Sequence, residues 1–201
     1  MLYLSDSDVQ SLFSESGWAT FIDVIESTLR TVEQGDFAQP VKPYLRYHDP
    51  VNRIIAMPAF VGGDCSTAGL KWIASFPGNI SLGLPRAHCV ILLNDSGSGK
   101  PISCINSPTT SIVRTAAVSG AVLRRYLAVR DPGTLTVGIC GFGPIGRAHA
   151  EMVLTEFADR DPEILVFDLR DGLADELRAT DEGARVKVVS DWRHAHDGVD
   201  V

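Results

Sequence analysis

Residues 134–150 read T-L-T-V-G-I-C-G-F-G-P-I-G-R-A-H-A, and they indicate the fold class more clearly than any other part of the sequence. It opens with a short apolar run, Leu135–Cys140, which is typical of a buried strand. The run continues into residues 141–146, G-F-G-P-I-G, which match the pattern G-x-G-x-x-G, and then into a segment with helical spacing. A strand, this loop and a helix in that order are typical of the first unit of a Rossmann domain, which binds a dinucleotide.

Each glycine of the loop has its own expected role. Gly141 permits the tight turn, Gly143 lets the backbone approach a pyrophosphate, and Gly146 lets the helix pack closely on the strand. Free N–H groups at the helix N-terminus favour the negative charge of the phosphates. The sequence therefore predicts that Gly141, Gly143, Pro144, Ile145 and Gly146 bind a dinucleotide.

An acidic residue follows at about the expected distance. A second apolar run, residues 164–167, ends in Asp168. A carboxylate at the end of the second strand accepts hydrogen bonds from the ribose hydroxyls and repels a 2′-phosphate, so Asp168 favours NAD over NADP. Arg170 lies close enough in sequence to weaken that preference. The alternative is that Asp168 only caps the turn that follows.

Composition indicates a packed domain and argues against several partners. The chain has 201 residues, of which 21% are charged, and a net charge of −7 with no basic cluster, which disfavours nucleic acid and anionic membranes. No apolar run is long enough for a transmembrane helix, and the first residues, M-L-Y-L-S-D-S-D, lack the pattern of a signal peptide. We therefore expect a cytoplasmic protein with a small-molecule substrate.

The cysteines and histidines do not predict a metal site. The four cysteines have no C-x-x-C spacing, and Cys89, Cys104 and Cys140 lie in apolar runs, so buried free thiols are expected. The five histidines show no spacing typical of a ligand set.

The N-terminal part has the pattern of an α+β domain. Ser5 is expected to cap a helix that ends at Gly35, and Ser107 is expected to cap a second helix that runs to about residue 128. Residues 130–133, R-D-P-G, form a break, so residues 1–130 are predicted as one domain. Five strands are predicted between the helices, at residues 44–47, 53–59, 69–75, 87–94 and 101–106.

The remaining residues, 131–201, have the order strand, helix (172–180), strand and further elements that is typical of the first half of a doubly wound parallel sheet. A third strand is predicted at residues 186–189, a helical element at 190–196 and the start of a fourth strand at 198–201. The fourth strand normally lies beside the first. We therefore expect an incomplete Rossmann domain that belongs to a longer protein. The alternative is a small divergent domain whose open sheet edge is covered by a partner.

Four cations stand in otherwise apolar segments. Arg46, Arg53 and Lys71 lie in predicted strands, and Arg114 lies early in the second long helix. A buried cation is costly unless it meets an anion, and a substrate carboxylate would supply one. For any single residue an outward-facing position is the alternative, and Arg53 is expected to be solvated at a strand end. Lys71 is the strongest candidate, because Leu70 and Trp72 flank it.

Six stretches between residues 39 and 146 together make the sequence recognisable. The chain resembles the ornithine cyclodeaminase and μ-crystallin family, most closely the branch that makes 2,3-diaminopropionate for siderophores and peptide antibiotics. The stretches are Q-P-V-K-P-Y-L-R (39–46), N-R-I-I-A-M-P (52–58), G-L-K-W-I (69–73), V-I-L-L-N-D (90–95), V-R-T-A-A-V-S (113–119) and G-F-G-P-I-G (141–146).

This resemblance implies an activity and roles for particular residues. It implies NAD-dependent oxidative cleavage of N-(2-amino-2-carboxyethyl)-L-glutamate to 2,3-diaminopropionate and 2-oxoglutarate. Arg46, Lys71 and Arg114 match the positions that bind the substrate carboxylates, and Lys71 would also act in catalysis. Ile55 stands where the cyclodeaminases carry a glutamate, which counts against ornithine as the substrate.

The resemblance also implies a homodimer formed through the N-terminal domain, a returning C-terminal helix, and a catalytic aspartate expected beyond Val201. Two alternatives stay open. One is another enzyme of the family, such as an ornithine cyclodeaminase, an alanine dehydrogenase or a ketimine reductase. The other is a non-catalytic nucleotide-binding remnant.

Overall fold

A computed structural model describes residues 1–178 and 185–201, which form ten strands and four α-helices. Contacts divide the chain into two compact units. The first consists of Met1–Gly17 and Val24–Ser111, and the second of Trp18–Asp23 and Ile112–Val201.

Helix α1, Asp6–Glu33, begins where the sequence predicts. Ser5 is the N-cap: its Oγ accepts from the N–H of Asp8 at 3.4 Å, while Asp8 Oδ2 accepts from the N–H of Ser5 at 2.8 Å. Gly17, with φ 72°, interrupts the helix with a kink. Gly35, with φ 80°, follows the helix end and confirms the predicted stop.

The first unit is built on one seven-stranded sheet. Its order is β1-β7-β6-β5-β4-β2, with β3 also paired to β4, and all pairs are antiparallel except β1 with β7. All five predicted strands are present. The two strands that the sequence did not indicate, β1 and β2, have only three and two residues. The strands are β1 Leu2–Leu4, β2 Phe37–Ala38, β3 Tyr44–Leu45, β4 Arg53–Val61, β5 Thr67–Ser75, β6 Ala87–Asp95 and β7 Pro101–Asn106.

Helix α2, Thr109–Val129, follows β7. Its first turn is held by Ser107, which is fully buried and whose Oγ accepts from the N–H of Thr109 at 3.1 Å. The carboxylate of Asp6 accepts hydrogen bonds from both Ser107 Oγ and Thr109 Oγ1. These bonds lower the pKa of Asp6 against the opposing effect of its burial. The predicted cap at Ser107 is thereby confirmed.

The second unit contains a parallel sheet in the order β10-β9-β8, flanked in sequence by helices. The predicted helix at 172–180 is confirmed over the residues of α4, and its residues 179–180 lie outside the described part of the chain. The predicted helical element at 190–196 is a 3₁₀ turn, Trp192–Ala195. The elements are β8 Thr136–Cys140, α3 Pro144–Glu156, β9 Glu163–Phe167, α4 Leu173–Arg178 and β10 Val186–Val188.

Large apolar side chains fill the core of this unit. Helix α2 packs closely on the core at Gly120, because a Cβ there would lie 2.6 Å from Ile22 Cδ1 and 3.1 Å from Met152 Sδ. A side chain at Gly120 would therefore displace its neighbours. Its fully buried large side chains include Ile22, Leu135, Phe142, Met152, Ile164 and Val166.

Residues 200–201 lie along the free edge of β8. The N–H of Asp200 donates to Thr136 O at 2.8 Å, and the N–H of Gly138 donates to Val201 O at 2.8 Å. On the other edge Leu135 O accepts from β9, through the N–H of Glu163 at 2.9 Å. The last two residues are therefore hydrogen-bonded beside β8, on the side where the sequence predicts the fourth strand, but they form no strand themselves.

The prediction for the cysteines is partly wrong. All four are free thiols, but only Cys89 is buried. Cys104 is half-buried, and Cys140 is exposed although it closes an apolar strand. Cys140 is the last residue of β8, where the chain leaves the sheet for the glycine loop.

Candidate functional site

The glycine loop has the geometry that its sequence predicts. Gly141 adopts φ 99°, a conformation that is strained for any residue with a side chain. A Cβ on Gly146 would lie 2.1 Å from Gly141 O and 3.5 Å from Ile139 Cγ2. The turn and the close contact between helix α3 and the loop therefore both depend on glycine.

The N-terminus of α3 is open for a ligand. Gly143 is the N-cap and has no side chain to bond the first N–H groups, and Pro144 is the first helical residue. A Cβ on Gly143 would meet nothing within 4 Å, so its backbone faces open space. Ile145 is half-exposed beside it. Free N–H groups at the start of a 13-residue helix fit a pyrophosphate.

Asp168 is bonded to the loop. Its Oδ2 accepts from the N–H of Phe142 at 2.5 Å, and only 11% of its side chain is exposed. Its Oδ1 accepts from the N–H of Arg170 at 2.9 Å and from Arg170 Nε at 3.1 Å. The bond from Phe142, followed by those from Arg170, lowers the pKa of Asp168. Asp168 therefore caps the turn after β9 and also stands beside the loop.

Arg170 contacts both Asp168 and the glycine loop. While its Nε bonds Asp168, its Nη2 donates to Phe142 O at 2.8 Å. Phe142 is fully buried, so the loop peptide is fixed by its side chain as well as by these bonds. The guanidinium is thus occupied by a carboxylate and a carbonyl of its own chain. This contact was not predicted from the sequence, which gave only the short spacing between Asp168 and Arg170.

Two residues of α3 were also missed. The Arg147 guanidinium lies 4.8 Å from the centre of the Phe142 ring, and its Nη2 is 2.6 Å from Glu176 Oε1. His149 Nε2 lies 2.9 Å from Ser119 Oγ of α2. Arg147 follows Gly146 directly and His149 lies two residues further on, so their position after the loop was the only signal in the sequence. They fix the helix that carries the loop.

In the first unit, Lys71 lies at the middle of the sheet. It is half-buried on β5, pairs with Met57 of β4, and its Nζ is 3.3 Å from Ser111 Oγ. Ile55 lies two residues from Met57, on the same sheet face, and is buried. The position where the cyclodeaminases are expected to carry a glutamate is therefore apolar and faces the same way as Lys71.

Arg46 belongs to this face as well. It follows β3, in which Tyr44 pairs with Ile55. Its Nη1 donates to Pro50 O at 2.6 Å, and its guanidinium lies 5.6 Å from the centre of the Tyr44 ring. Continuing the β3 register by one residue puts Arg46 on the face that carries Lys71. We call this the cationic face: the side of β3, β4 and β5 that bears Lys71 and Arg46.

Arg114 and Arg53 have different surroundings. Arg114 is exposed on α2, in the second unit, and forms no ion pair with any residue that the structure describes. Arg53 was expected to be solvated, and this is wrong for its Nε. That atom is buried and has no hydrogen-bond acceptor among residues 1–178 and 185–201.

Within the described ranges, no cluster of three or more His, Cys, Asp or Glu side chains is arranged to hold a metal ion. No helix in that part of the chain combines the length and apolar character needed to cross a membrane.

The parallel sheet, the glycine loop and the acid after the second strand define a Rossmann-like fold. The chain belongs to the ornithine cyclodeaminase/mu-crystallin family, whose model matches residues 4–201. This confirms the resemblance seen in the sequence.

Three relatives illustrate the range of the family. The chain is 37% identical over 174 residues to N-((2S)-2-amino-2-carboxyethyl)-L-glutamate dehydrogenase of Staphylococcus aureus, covering 84% of this chain and 50% of the relative. The Δ1-pyrroline-2-carboxylate reductase of Thermococcus litoralis, solved with NADH and L-proline, matches with a TM-score of 0.83 and 27% identity over 100% of this chain and 60% of that one.

The third is an archaeal alanine dehydrogenase dimer with bound NAD, which matches with a TM-score of 0.77 and 26% identity over 94% of this chain and 55% of that one. The chain spans about half the length of the curated relatives that it matches.

Proposed function

We propose that the protein is an NAD-dependent oxidoreductase that acts on an amino-acid substrate. One observation carries the proposal: Asp168 lies at the end of β9, bonded to the loop peptide of Phe142, where a dinucleotide ribose binds in Rossmann folds. The open N-terminus of α3 supplies the matching phosphate site. Relatives of similar fold were solved with NADH or NAD, which supports the same cofactor here.

The proposed substrate is N-(2-amino-2-carboxyethyl)-L-glutamate. The relative with that activity is 37% identical to this chain. The cations Arg46 and Lys71 lie on one sheet face and fit a substrate with several carboxylates. Ile55 on the same face is apolar, so the proposed reaction uses no glutamate at that position. Reductases and dehydrogenases of alanine and cyclic imino acids are the competing assignments, because relatives with those names share the fold.

In the proposed reaction the substrate would lose a hydride from its glutamate α-carbon, and NAD, held by the glycine loop and Asp168, would supply the hydride acceptor. The substrate nitrogen loses its proton, and the resulting imine takes up water and divides into 2-oxoglutarate and 2,3-diaminopropionate. Arg46 and Arg114 would hold carboxylates through paired N–H donors. Lys71 would orient the substrate or carry the proton from nitrogen. Positioning of the α-carbon is the main contribution of these side chains.

Each of the two predicted domains has its own role in this proposal. Residues 1–130 would bind the substrate and form the dimer, and residues 131–201 would form the first half of the NAD-binding domain. The parallel order of β10, β9 and β8 and the loop at 141–146 support the second assignment.

A homodimer formed through the first unit is supported by an open apolar sheet face, opposite the cationic face. Tyr3, Trp72 and Leu92 are 58%, 42% and 37% exposed. The register puts them on one side, because Tyr3 and Leu92 both pair with Cys104, and Trp72 pairs with Val90, two residues from Leu92. A second copy would bury this face. The dimeric alanine dehydrogenase of similar fold is consistent with that arrangement.

The test is a titration followed by product analysis. NAD and NADP are titrated against the protein, which is then incubated with NAD and N-(2-amino-2-carboxyethyl)-L-glutamate, L-alanine, L-proline or L-ornithine. The proposal expects tighter binding of NAD and formation of 2-oxoglutarate from the first substrate alone. Turnover of alanine or proline with no reaction of the N-substituted glutamate would instead favour the competing assignments.

A further inference from the structure

The imidazole of His149 is bonded at both ring nitrogens, and its two partners lie on different helices. Its Nδ1 lies 2.8 Å from the carbonyl oxygen of Ile145 in α3, and its Nε2 lies 2.9 Å from Ser119 Oγ of α2. A carbonyl oxygen can only accept a hydrogen bond, so Nδ1 carries a proton and donates it. In the neutral ring, Nε2 then accepts from the Ser119 hydroxyl. The two bonds therefore fix the ring in one orientation.

The carbonyl that receives the imidazole bond belongs to the glycine loop. Ile145 is the second residue of α3, and its carbonyl shares one planar peptide unit with the N–H of Gly146. In a trans peptide these two groups point in opposite directions. The carbonyl points along the helix toward His149, and the N–H points out of the helix N-terminus. A hydrogen bond to the carbonyl therefore fixes the direction of the Gly146 N–H and also polarises it.

The N–H of Gly146 is one of few donors at the start of this helix. Pro144 has no N–H, and the N–H of Arg147 donates to Gly143 O at 3.0 Å. The N–H groups of the first turn of a helix have no partner within the helix itself. The first helical donors left for a pyrophosphate are therefore those of Ile145 and Gly146.

Helix α2 can hold the ring because it packs closely on α3 beside it. A Cβ on Gly120, the residue after the serine that bonds the ring, would lie 3.1 Å from Met152 Sδ. A second polar link joins the same two helices, where Arg124 Nε donates to Glu156 Oε1 at 3.1 Å. Glu156 lies seven residues after His149, about 10 Å further along the helix axis. This second link therefore supports the helix packing without touching the loop.

We propose that His149 is a positioning residue for NAD: anchored by Ser119, its imidazole aims the Gly146 N–H at the pyrophosphate. The inference rests on the proposed NAD cofactor and adds a residue to its site. His149 acts through the peptide that joins residues 145 and 146, and it acts on the pyrophosphate alone. The part of the affinity that the pyrophosphate contributes therefore depends on the imidazole, whereas binding of the adenosine part does not.

The experiment compares two variants of His149 with the unchanged protein. His149→Phe keeps a planar ring and removes both bonds, whereas the amide nitrogen of His149→Asn takes the place of Nδ1 and can still donate to Ile145 O. Ser119→Ala removes only the anchor on α2, and Glu156→Gln is the matched control, because it weakens the other polar link between the two helices.

Binding of three ligands is measured by calorimetry, with competition for the weakest, and the thermal unfolding of every variant is recorded. The ligands are NAD, ADP-ribose, which carries the pyrophosphate without the nicotinamide, and adenosine, which carries no phosphate. We expect His149→Phe to weaken NAD and ADP-ribose equally, by about three- to tenfold, and to leave adenosine unchanged.

The other variants separate positioning from helix packing. His149→Asn recovers most of the lost affinity, because it restores the bond to the loop carbonyl. Ser119→Ala gives a smaller loss than His149→Phe, since the ring keeps Ile145 and loses its other anchor. Glu156→Gln lowers the unfolding temperature and leaves the affinity for all three ligands unchanged.

Unchanged affinity of His149→Phe for NAD and ADP-ribose would overturn this inference and leave the proposed function intact. An equal loss for adenosine, or the same losses in Glu156→Gln, would also overturn it, because His149 would then only support the packing of the helices. If the unchanged protein binds neither NAD nor ADP-ribose, the proposed cofactor fails, and this role for His149 fails with it.

Discussion

The backbone N–H of Phe142 donates to the carboxylate of Asp168 across 2.5 Å, which ties the glycine loop to the end of the second parallel strand. The bond orients one carboxylate oxygen while the other accepts from Arg170. A carboxylate offers about four acceptor positions, and Asp168 uses two on Oδ1 and one on Oδ2, so Oδ2 keeps capacity for a ribose hydroxyl. Asp168 is therefore held in place before any ligand arrives.

Replacing Asp168 should change the choice of cofactor. Asp168→Ser removes the negative charge that repels a 2′-phosphate and the acceptors for the ribose hydroxyls. Loss of a hydrogen bond to a charged group costs about 1.5–3 kcal/mol, so NAD should bind roughly ten-fold or more weakly while NADP binding improves. Parallel titrations of both cofactors measure this. An unchanged NAD to NADP ratio would show that Asp168 caps the turn and does nothing for selectivity.

Arg170 should support NAD binding and should not assist NADP. Its guanidinium is engaged by Asp168 and by the carbonyl of Phe142, so Arg170→Ala should weaken NAD several-fold with no gain for NADP. In Asp168→Ser the guanidinium loses its carboxylate partner and becomes available to a phosphate. The improvement in NADP binding should then disappear in the double variant.

A matched control is Arg178→Ala, an exposed arginine of the same unit that pairs with Asp175 at 2.7 Å. It should leave both affinities unchanged. Tighter NADP binding by the single variant Arg170→Ala would contradict this role for Arg170.

The lowered pKa of Asp168 gives a pH dependence with a definite sign. Hydrogen bonds from Phe142 and Arg170 hold the pKa of Asp168 below its ordinary value of 3.8. The folded state therefore binds this proton less readily than the unfolded state does, and the stability gained is present above the ordinary pKa. It is lost as the pH falls through the lowered value. Between about pH 5 and pH 3, Asp168→Asn should lose less stability than the unchanged protein.

Chemical denaturation at a series of pH values tests the point. Asp175→Asn is a suitable control, because Asp175 is an exposed carboxylate in the same unit. Parallel pH profiles for the unchanged protein and Asp168→Asn would refute the linkage.

Substitutions at two glycines of the loop should have different effects, one on stability and the other on NAD affinity. A Cβ on Gly146 would lie 2.1 Å from a carbonyl oxygen, so Gly146→Ala should lower the unfolding free energy by about 1–3 kcal/mol or more. Gly143 is an N-cap with ordinary extended backbone and open space around it. Gly143→Ala should therefore keep the unfolding temperature and weaken NAD. Equal stability in both variants would show that the loop relaxes around Gly146.

Lys71→Ala and Arg114→Ala should affect substrate turnover far more than NAD affinity. The loss of a charged hydrogen bond in a desolvated site costs about 2–5 kcal/mol, which corresponds to roughly thirty-fold or more in kcat/KM. Arg125→Ala is a control from the same helix as Arg114. Near-normal turnover in either of the first two variants would show that its cation is only solvated.

Local signals predicted much of the fold. Ser5 and Ser107 each combine a capping side chain with a following helix, and the apolar runs of β4 to β9 are long enough to stand out. Strands β1 and β2 were missed because two or three residues carry no period, and their pairing depends on strands far along the chain. Cys140 was expected to be buried because its run is apolar, but it is exposed because it is the last residue of its strand.

The site was only partly predictable for a related reason. The role of Gly146 follows from its motif, whereas the bonds between Arg170 and Phe142 depend on how a loop and a distant turn meet. The expectation that Arg53 is solvated was wrong for its Nε, because burial at a strand end depends on which other segments pack over it.

The most direct measurement is kcat/KM for NADH formation with N-(2-amino-2-carboxyethyl)-L-glutamate, compared under the same conditions with L-alanine, L-proline and L-ornithine. We predict a clear preference for the N-substituted glutamate, with one 2-oxoglutarate released for each NADH. It would be contradicted by tight binding of NAD without turnover of any of the four amino acids.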